Sequence, residues 1–269
     1  MKTIEEMLPK MHAWMNDYIR TFYTDDAEIQ RAIRVKEVHT GYVTANCREL
    51  ARHLGLSNHD IAIAECMGLF HDVGRFRQFT LYKTFVDAES EDHALLALES
   101  MDELPFFHEL PAGEYSLLRF AIYNHNKKEI EETSNRKYLT FAKMIRDADK
   151  LDIYRVLAPY IAPSGKENVV TFSQTKLRTA GFSENFLEQF TRGEQCDYRL
   201  IRTQDDRKLV RLMWVYDINY AWTLQRVVDR GYVRIILDNL PHSDALKPGV
   251  ERMQAYIRKK LMEEDSADF

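Results

Sequence analysis

The run Gly68-Leu-Phe-His-Asp-Val-Gly-Arg75 sets an imidazole and a carboxylate side by side, His71-Asp72, at the end of a segment whose other residues demand burial. Ile61, Ala62, Ile63, Ala64, Cys66, Met67, Leu69 and Phe70 make a helix apolar on most faces, so it belongs in the middle of the fold. An ionisable pair in that position is costly without compensation, and a divalent cation is the commonest physical compensation. The doublet reads as half of a metal site.

Ligands for the other half converge in space while scattered in sequence. His39 lies on the stripe Val35, Val38, His39, Tyr42, whose helical spacing predicts a core-facing row. Asp149 lies on the stripe Ala142, Ile145, Asp149; Asp147 falls about 200° away around the axis, so only one of the two is expected inside, and Asp149 is the inward choice. His93 opens the short apolar helix Ala94-Leu-Leu-Ala-Leu98, and His125 closes the run Leu117-Leu-Arg-Phe-Ala-Ile-Tyr123. A lone histidine on an apolar face is ordinarily a hydrogen-bonded core residue. Together, four histidines and two carboxylates suit two divalent transition metals with one bridging carboxylate. His12, His53, His59, His108 and His242 lack this context and are expected to be solvated.

The order His39, His71-Asp72, Asp149, all on helices, resembles the HD-domain superfamily of metal-dependent phosphohydrolases, over about residues 30–157. His71-Asp-Val-Gly-Arg75 is close to that family's usual His-Asp-(Ile/Leu/Val)-Gly-(Lys/Arg). His93 and His125 fall between doublet and final Asp, as the extra ligands do in its two-metal branch. The resemblance implies an all-α helical bundle over residues 1–160, with additional C-terminal helices over 161–269 packed on that core. The cyclic-dinucleotide phosphodiesterase branch carries paired histidines near His125, a Gly-Tyr-Pro signature and an upstream Glu. Here Asn124-His125-Asn126 stands instead, the tripeptide is missing and no Glu lies four residues before His39.

Two cations bridged by Asp72 would bring a shared water toward ionisation at neutral pH and absorb charge on phosphoryl oxygens, so hydrolysis of a phosphate ester is the default reaction. Asp72 thus counts as catalytic as well as ligating. Asp152, one turn beyond Asp149, is the expected water-orienting or proton-carrying group. Arg75 is the first choice for phosphate, with Gly74 allowing close backbone approach, and Lys127 the second; Arg77 is expected in surface ion pairs. Phe79, Tyr82 and Phe85 lie in what reads as a loop after the doublet, placed to wall a pocket though individually suited to core packing. Iron, manganese, cobalt, nickel and zinc all fit the donor set, with magnesium a further option. The substrate expected is a nucleotide or another small phosphorylated compound. Two alternatives share the ligand order: a mixed-valence di-iron oxygenase of the same superfamily, and a non-catalytic ligand sensor.

A net charge of −5 without a basic stripe argues against dedicated nucleic-acid binding. Only 10 Gly and 7 Pro, with charges spread rather than blocked, agree with an all-helical chain. Cys47, Cys66 and Cys196 are odd in number with no Cys-x-x-Cys, which suggests a reducing compartment. The N-terminus has no signal-peptide pattern and no run reaches the roughly eighteen apolar residues of a spanning helix, so a cytoplasmic protein with no membrane partner is expected. Oligomeric state is left open.

Further elements follow from stripes and caps. An opening helix buries Met7, Met11, Trp14 and Tyr18, and Thr24-Asp25-Asp26 caps the next, which Gly55 stops. Ser57 to Asp60 resembles a capping box. Beyond residue 165, helices are expected over 183–191, over 205–229 as one long element with Leu209, Leu212, Met213, Tyr216 and Tyr220 inward, and over 248–263, before a solvated tail.

Overall fold

The computed structural model of the protein describes residues 2–161, 181–194 and 201–267. Among these every regular element is a helix. They fall into two compact units that divide between Asp152 and Ile153. No helix among the described residues is long and apolar enough to cross a membrane.

The first unit comprises α1 (Ile4–Arg20), α2 (Ala27–His53), α3 (Asn58–Phe70), α4 (Val73–Tyr82), α5 (His93–Asp102), α6 (Pro105–His108), α7 (Ala112–Asn124) and the part of α8 (Arg136–Ile161) up to Asp152. Helix starts follow local chemistry. Thr3 and Glu6 form a capping box on α1, the Asp26 carboxylate accepts the Glu28 and Ile29 N–H groups on α2, and Ser57 Oγ accepts the Asp60 N–H on α3. The Ser57 motif closes differently from a full box, because its hydroxyl donates to the Asp60 carboxylate instead of leaving it for backbone.

The buried face of α1 is Ile4, Met7, Leu8, Met11, Met15 and Ile19. Trp14 and Tyr18 flank it half-buried, stacked on each other at 4.7 Å, with Trp14 also stacked on Phe70 at 5.8 Å. The expected stripe on α2 is displaced. Val38 and Tyr42 are each 47 % exposed, and the buried face is Ala32, Ile33, His39, Thr40, Val43, Thr44, Cys47 and Leu50. The row through Val38 and Tyr42 is one of two apolar rows flanking His39, and the other, longer one takes the core.

Two glycines set the helix spacing. A Cβ on Gly68 would stand 2.8 Å from Thr44 Cα, so the bare backbone lets the end of α3 lie against α2. A Cβ on Gly74 would stand 2.6 Å from Leu96 Cβ and 2.8 Å from the Ala97 backbone nitrogen, which brings α4 onto α5. The close approach expected at Gly74 is thus to a neighbouring helix. The segment read as a loop after the doublet is helical as far as Tyr82, with Phe79 and Phe85 buried against each other at 4.6 Å and only Tyr82 substantially exposed, so no aromatic pair is left as a free wall. On α8, Phe141, Ala142, Met144, Ile145, Arg146, Asp147 and Ala148 are buried while Asp149 is of intermediate exposure, so Asp147, and not the expected Asp149, is the more interior of the two. The Asn46 amide of α2 donates to the Ala148 carbonyl at 3.1 Å, tying α8 to α2.

The second unit carries α9 (Glu184–Arg192), α10 (Gln204–Met213), α11 (Ala221–Asp229), α12 (Tyr232–Asp238) and α13 (Lys247–Lys260). The long helix expected over 205–229 is two helices: a 3-10 turn over Trp214–Asp217 closes α10, and α11 begins afresh. The Asp265 carboxylate accepts the Ala221 and Trp222 N–H groups at 2.7 and 2.8 Å, satisfying the donors that the break frees. Asp265 is therefore a cap and not part of a solvated tail. The expected 248–263 helix is present as α13, and α12 was not anticipated. Cys196 and the Pro163-Ser-Gly165 turn lie outside the described residues.

Candidate metal centre

Helix ends converge on one point of the first unit. His39 is in the middle of α2, His71 caps the C-terminus of α3, Asp72 begins α4, His93 is the first residue of α5, His125 caps the C-terminus of α7, and Asp149 lies on α8. The backbone at Asp72 (φ −110°, ψ 14°) breaks the helical run between α3 and α4, which lets adjacent residues aim at a common centre.

Asp72 uses its two oxygens in two directions. Its Oδ2 lies 3.4 Å from His39 Nε2 and 3.5 Å from His71 Nε2. Its Oδ1 lies 3.6 Å from His93 Nε2 and 3.8 Å from His125 Nε2. Asp149 Oδ1 completes the first group, 3.1 Å from His39 Nε2 and 3.9 Å from His71 Nε2. Two groups sharing Asp72, His39-His71-Asp72 and Asp72-His93-His125, are thus compact and buried enough to hold a metal ion.

The far side of each imidazole is anchored. His71 Nδ1–H donates to the Gly68 carbonyl at 2.8 Å and His125 Nδ1–H to the Ile122 carbonyl at 2.6 Å; a carbonyl only accepts, so these tautomers are fixed. His93 Nδ1 meets Asp87 Oδ2 at 2.6 Å, and His39 Nδ1 meets Asp152 Oδ2 at 2.6 Å. Carboxylate or carbonyl behind a ring whose Nε2 points inward is the arrangement around metal-bound histidine. In these tautomers His93 and His125 both turn Nε2 lone pairs toward the centre, 2.9 Å apart, with the Arg75 guanidinium donating to His93 Nε2 at 3.2 Å, a contact that would have to give way for His93 to ligate. On that donor chemistry the residues fit divalent ions.

Electrostatics separate His39 from its neighbours: His71 and His93 are neutral near pH 7, whereas His39 is held protonated by the surrounding carboxylates and must lose that proton to ligate. Burial pushes His71 down to about 4, and burial together with Arg75 takes His93 down to about 3, so both rings are neutral near pH 7, as ligation requires. Burial and Lys36 work against protonation of His39, but Asp149, Asp152 and Asp72 outweigh them and raise it to about 10. Burial opposes ionisation of Asp72, yet Lys36 above all and then the surrounding histidines hold it well below the usual carboxylate range. Asp149 is likewise lowered, against burial, by His39 and His71.

The six expected ligands therefore meet. The three auxiliary residues sit differently. Arg75 is at the centre, but its guanidinium is occupied: Nη1 donates to Gln78 at 2.7 Å, the Phe85 carbonyl at 2.6 Å and Asp87 at 2.9 Å, and Nη2 to His93 Nε2 at 3.2 Å. Lys127 pairs with Asp92, the N-cap of α5, and lies 4.5 Å over the Tyr123 ring, so it braces the loop after His125. Asp152 is buried behind His39, where it orients the ring and does not face the open side. Arg77 is exposed. Of the histidines expected to be solvated, His59 is bonded on both ring nitrogens, to Glu5 at 3.0 Å and Glu114 at 3.1 Å, and His12 meets Glu65 at 3.0 Å.

Sequence reasoning missed Lys36, Asp87, Gln78, Asn126 and Arg146. Lys36 Nζ lies 2.6 Å from Asp72 Oδ2, and its only sequence signal is its place one turn before His39. Asp87 binds both Arg75 and His93, and Gln78 and Asn126 bond to Asp87 in turn. Arg146 donates to the Asn124, Lys127 and Lys128 carbonyls, fixing the chain around His125.

A helical unit that gathers four imidazoles and two carboxylates, three of the imidazoles and one carboxylate from helix termini, has a donor set that could hold divalent metal. Residues 37–154 match the family model of the HD domain, a span that holds all six ligand candidates, and the match supports the HD-domain superfamily, a metal-dependent hydrolase type. No curated protein and no solved structure matches the chain.

Proposed function

We propose that the HD domain is a binuclear phosphohydrolase acting on a small phosphate ester, a nucleotide or another phosphorylated metabolite. One observation carries this reading: the two oxygens of Asp72 face two separate histidine pairs, at 3.4 and 3.5 Å on one side and 3.6 and 3.8 Å on the other. His39, His71 and Asp149 would hold one ion and His93 and His125 the other, with Asp72 between them. Bound there, such ions supply Lewis-acid charge for phosphoryl oxygens and acidify water for attack at phosphorus.

The chain's own residues do the rest. Asp152, Gly68, Asp87 and Ile122 hold the four rings in orientation through Nδ1. Arg75, pinned by Gln78, Phe85 and Asp87, keeps a fixed positive charge 3.5 Å from Asp72 Oδ1. Among the residues that would hold the first ion Asp149 is the nearest to solvent, its side chain 17 % exposed against 3 % or less for His39, His71 and Asp72.

The test is phosphate release from a panel of nucleotides and sugar phosphates by protein loaded with Mn²⁺, Co²⁺ or Ni²⁺ without oxygen. Turnover that disappears in Asp72→Ala supports the reading. Iron-dependent oxygen uptake with no phosphate released would replace it with the oxygenase.

A further inference from the structure

Two cations touch Asp72, and they differ in what else holds them. Arg75 keeps three acceptors on Nη1 alone, whatever happens at Asp72. Lys36 has one anionic partner among the described residues, Asp72 Oδ2 at 2.6 Å, and its ammonium otherwise rests 5.4 Å from the Phe85 ring centre. Phe85 is buried in a cluster with Ala32 and Phe79, against which Ile29 and Val35 of α2 also pack, so the platform under Lys36 is rigid. The side chain itself is 13 % exposed, close to the 17 % of Asp149, which places it on the solvent-facing side of the centre.

Lys36 therefore occupies the oxygen that the first histidine pair needs for a shared ion. An ammonium and a divalent ion cannot both stand on Asp72 Oδ2 at short range, since like charges repel strongly in a buried site. We infer that Lys36 is an exchangeable counter-ion: it neutralises Asp72 in the metal-free protein and, once Asp72 ligates, turns to the anionic oxygens of the substrate. This assigns to Lys36 the oxyanion-binding role that sequence alone suggested for Arg75, and it rests on the binuclear phosphate-ester reading above. Lysine suits the task because its flexible stem carries a point charge between two partners, whereas the Arg75 guanidinium is pinned by Gln78, Phe85 and Asp87.

The test compares the full-length wild-type chain with Lys36→Met, which keeps the stem on Phe85, and with Lys36→Gln should the first variant fold poorly. Mn²⁺ affinity is measured by chelator competition, and inorganic phosphate affinity by titration of the Mn²⁺-loaded protein. The variant is expected to bind Mn²⁺ about tenfold more tightly, because a competing cation is gone, and phosphate about tenfold more weakly. Lys36→Arg should retain most of the phosphate binding. Unchanged Mn²⁺ and phosphate affinities in Lys36→Met, beside a wild type that binds both, would overturn the counter-ion role and leave the metal reading standing. A wild type that binds no Mn²⁺ would overturn both.

Discussion

Asp87 carries more of the centre than its distance in sequence suggests. It accepts from His93 Nδ1 at 2.6 Å, from Arg75 at 2.9 Å and from Gln78 at 3.0 Å, and His93 and Arg75 hold its carboxyl below the usual range against burial. Asp87→Asn should lower metal affinity at the His93-His125 position by roughly 10–100-fold while the His39-His71 position is retained, the usual size of effect behind a ligating histidine. Metal titration with resolved stoichiometry checks it; equal losses at both positions would contradict it. At this scale the ligand candidates were legible because imidazoles and carboxylates on the faces and ends of apolar helices are expensive anomalies. Lys36 and Asp87 were not: a lysine on a half-exposed helix and an aspartate in a polar stretch are unremarkable until the fold sets them 2.6 Å from Asp72 and His93.

Among helices, placement of the ligands depends on two contacts without side chains. Gly74→Ala would drive a methyl into Leu96 Cβ and the Ala97 backbone, at 2.6 and 2.8 Å, and α5 cannot yield without carrying His93 away from Asp72. A loss of roughly 1–3 kcal/mol in unfolding free energy is expected, together with weakened metal binding, read from denaturant melts and metal content of the same sample. In the second unit Asp265→Ala should cost about 1 kcal/mol by leaving the first N–H groups of α11 without their cap. Helix starts with local caps, at Asp26 and Ser57, were readable from a few residues. The break between α10 and α11 was not, because the carboxylate that makes it affordable lies 44 residues downstream of Ala221. The buried face of α2 was misjudged for a related reason: Val38 and Tyr42 fit the helical period as well as the true core row does, and only the positions of α3 and α8 decide between them.

For the molecule as a whole, pH and metal are the accessible levers. His59 is a single residue joining three helices, with Glu5 of α1 on one nitrogen and Glu114 of α7 on the other. Burial disfavours its charge, but the two glutamates outweigh burial and raise its folded pKa above 6.5. A raised pKa contributes stability that is complete below the unfolded value and lost as pH climbs through the folded one. The difference in Tm between wild type and His59→Gln should therefore be largest below pH 6.5 and shrink as pH rises above it; a difference that grows with pH would contradict the pairing. Metal stabilises by mass action if it binds only the folded centre, and free Mn²⁺ at a hundred times its Kd should then add about 2.7 kcal/mol. The central claim, that Asp72 joins two histidine pairs into one binuclear centre, is tested most directly by counting ions per chain after reconstitution with Mn²⁺. The account predicts two in the wild type, one in His125→Ala and none in Asp72→Ala; one ion or fewer in the wild type, or an unaltered count in Asp72→Ala, would contradict it.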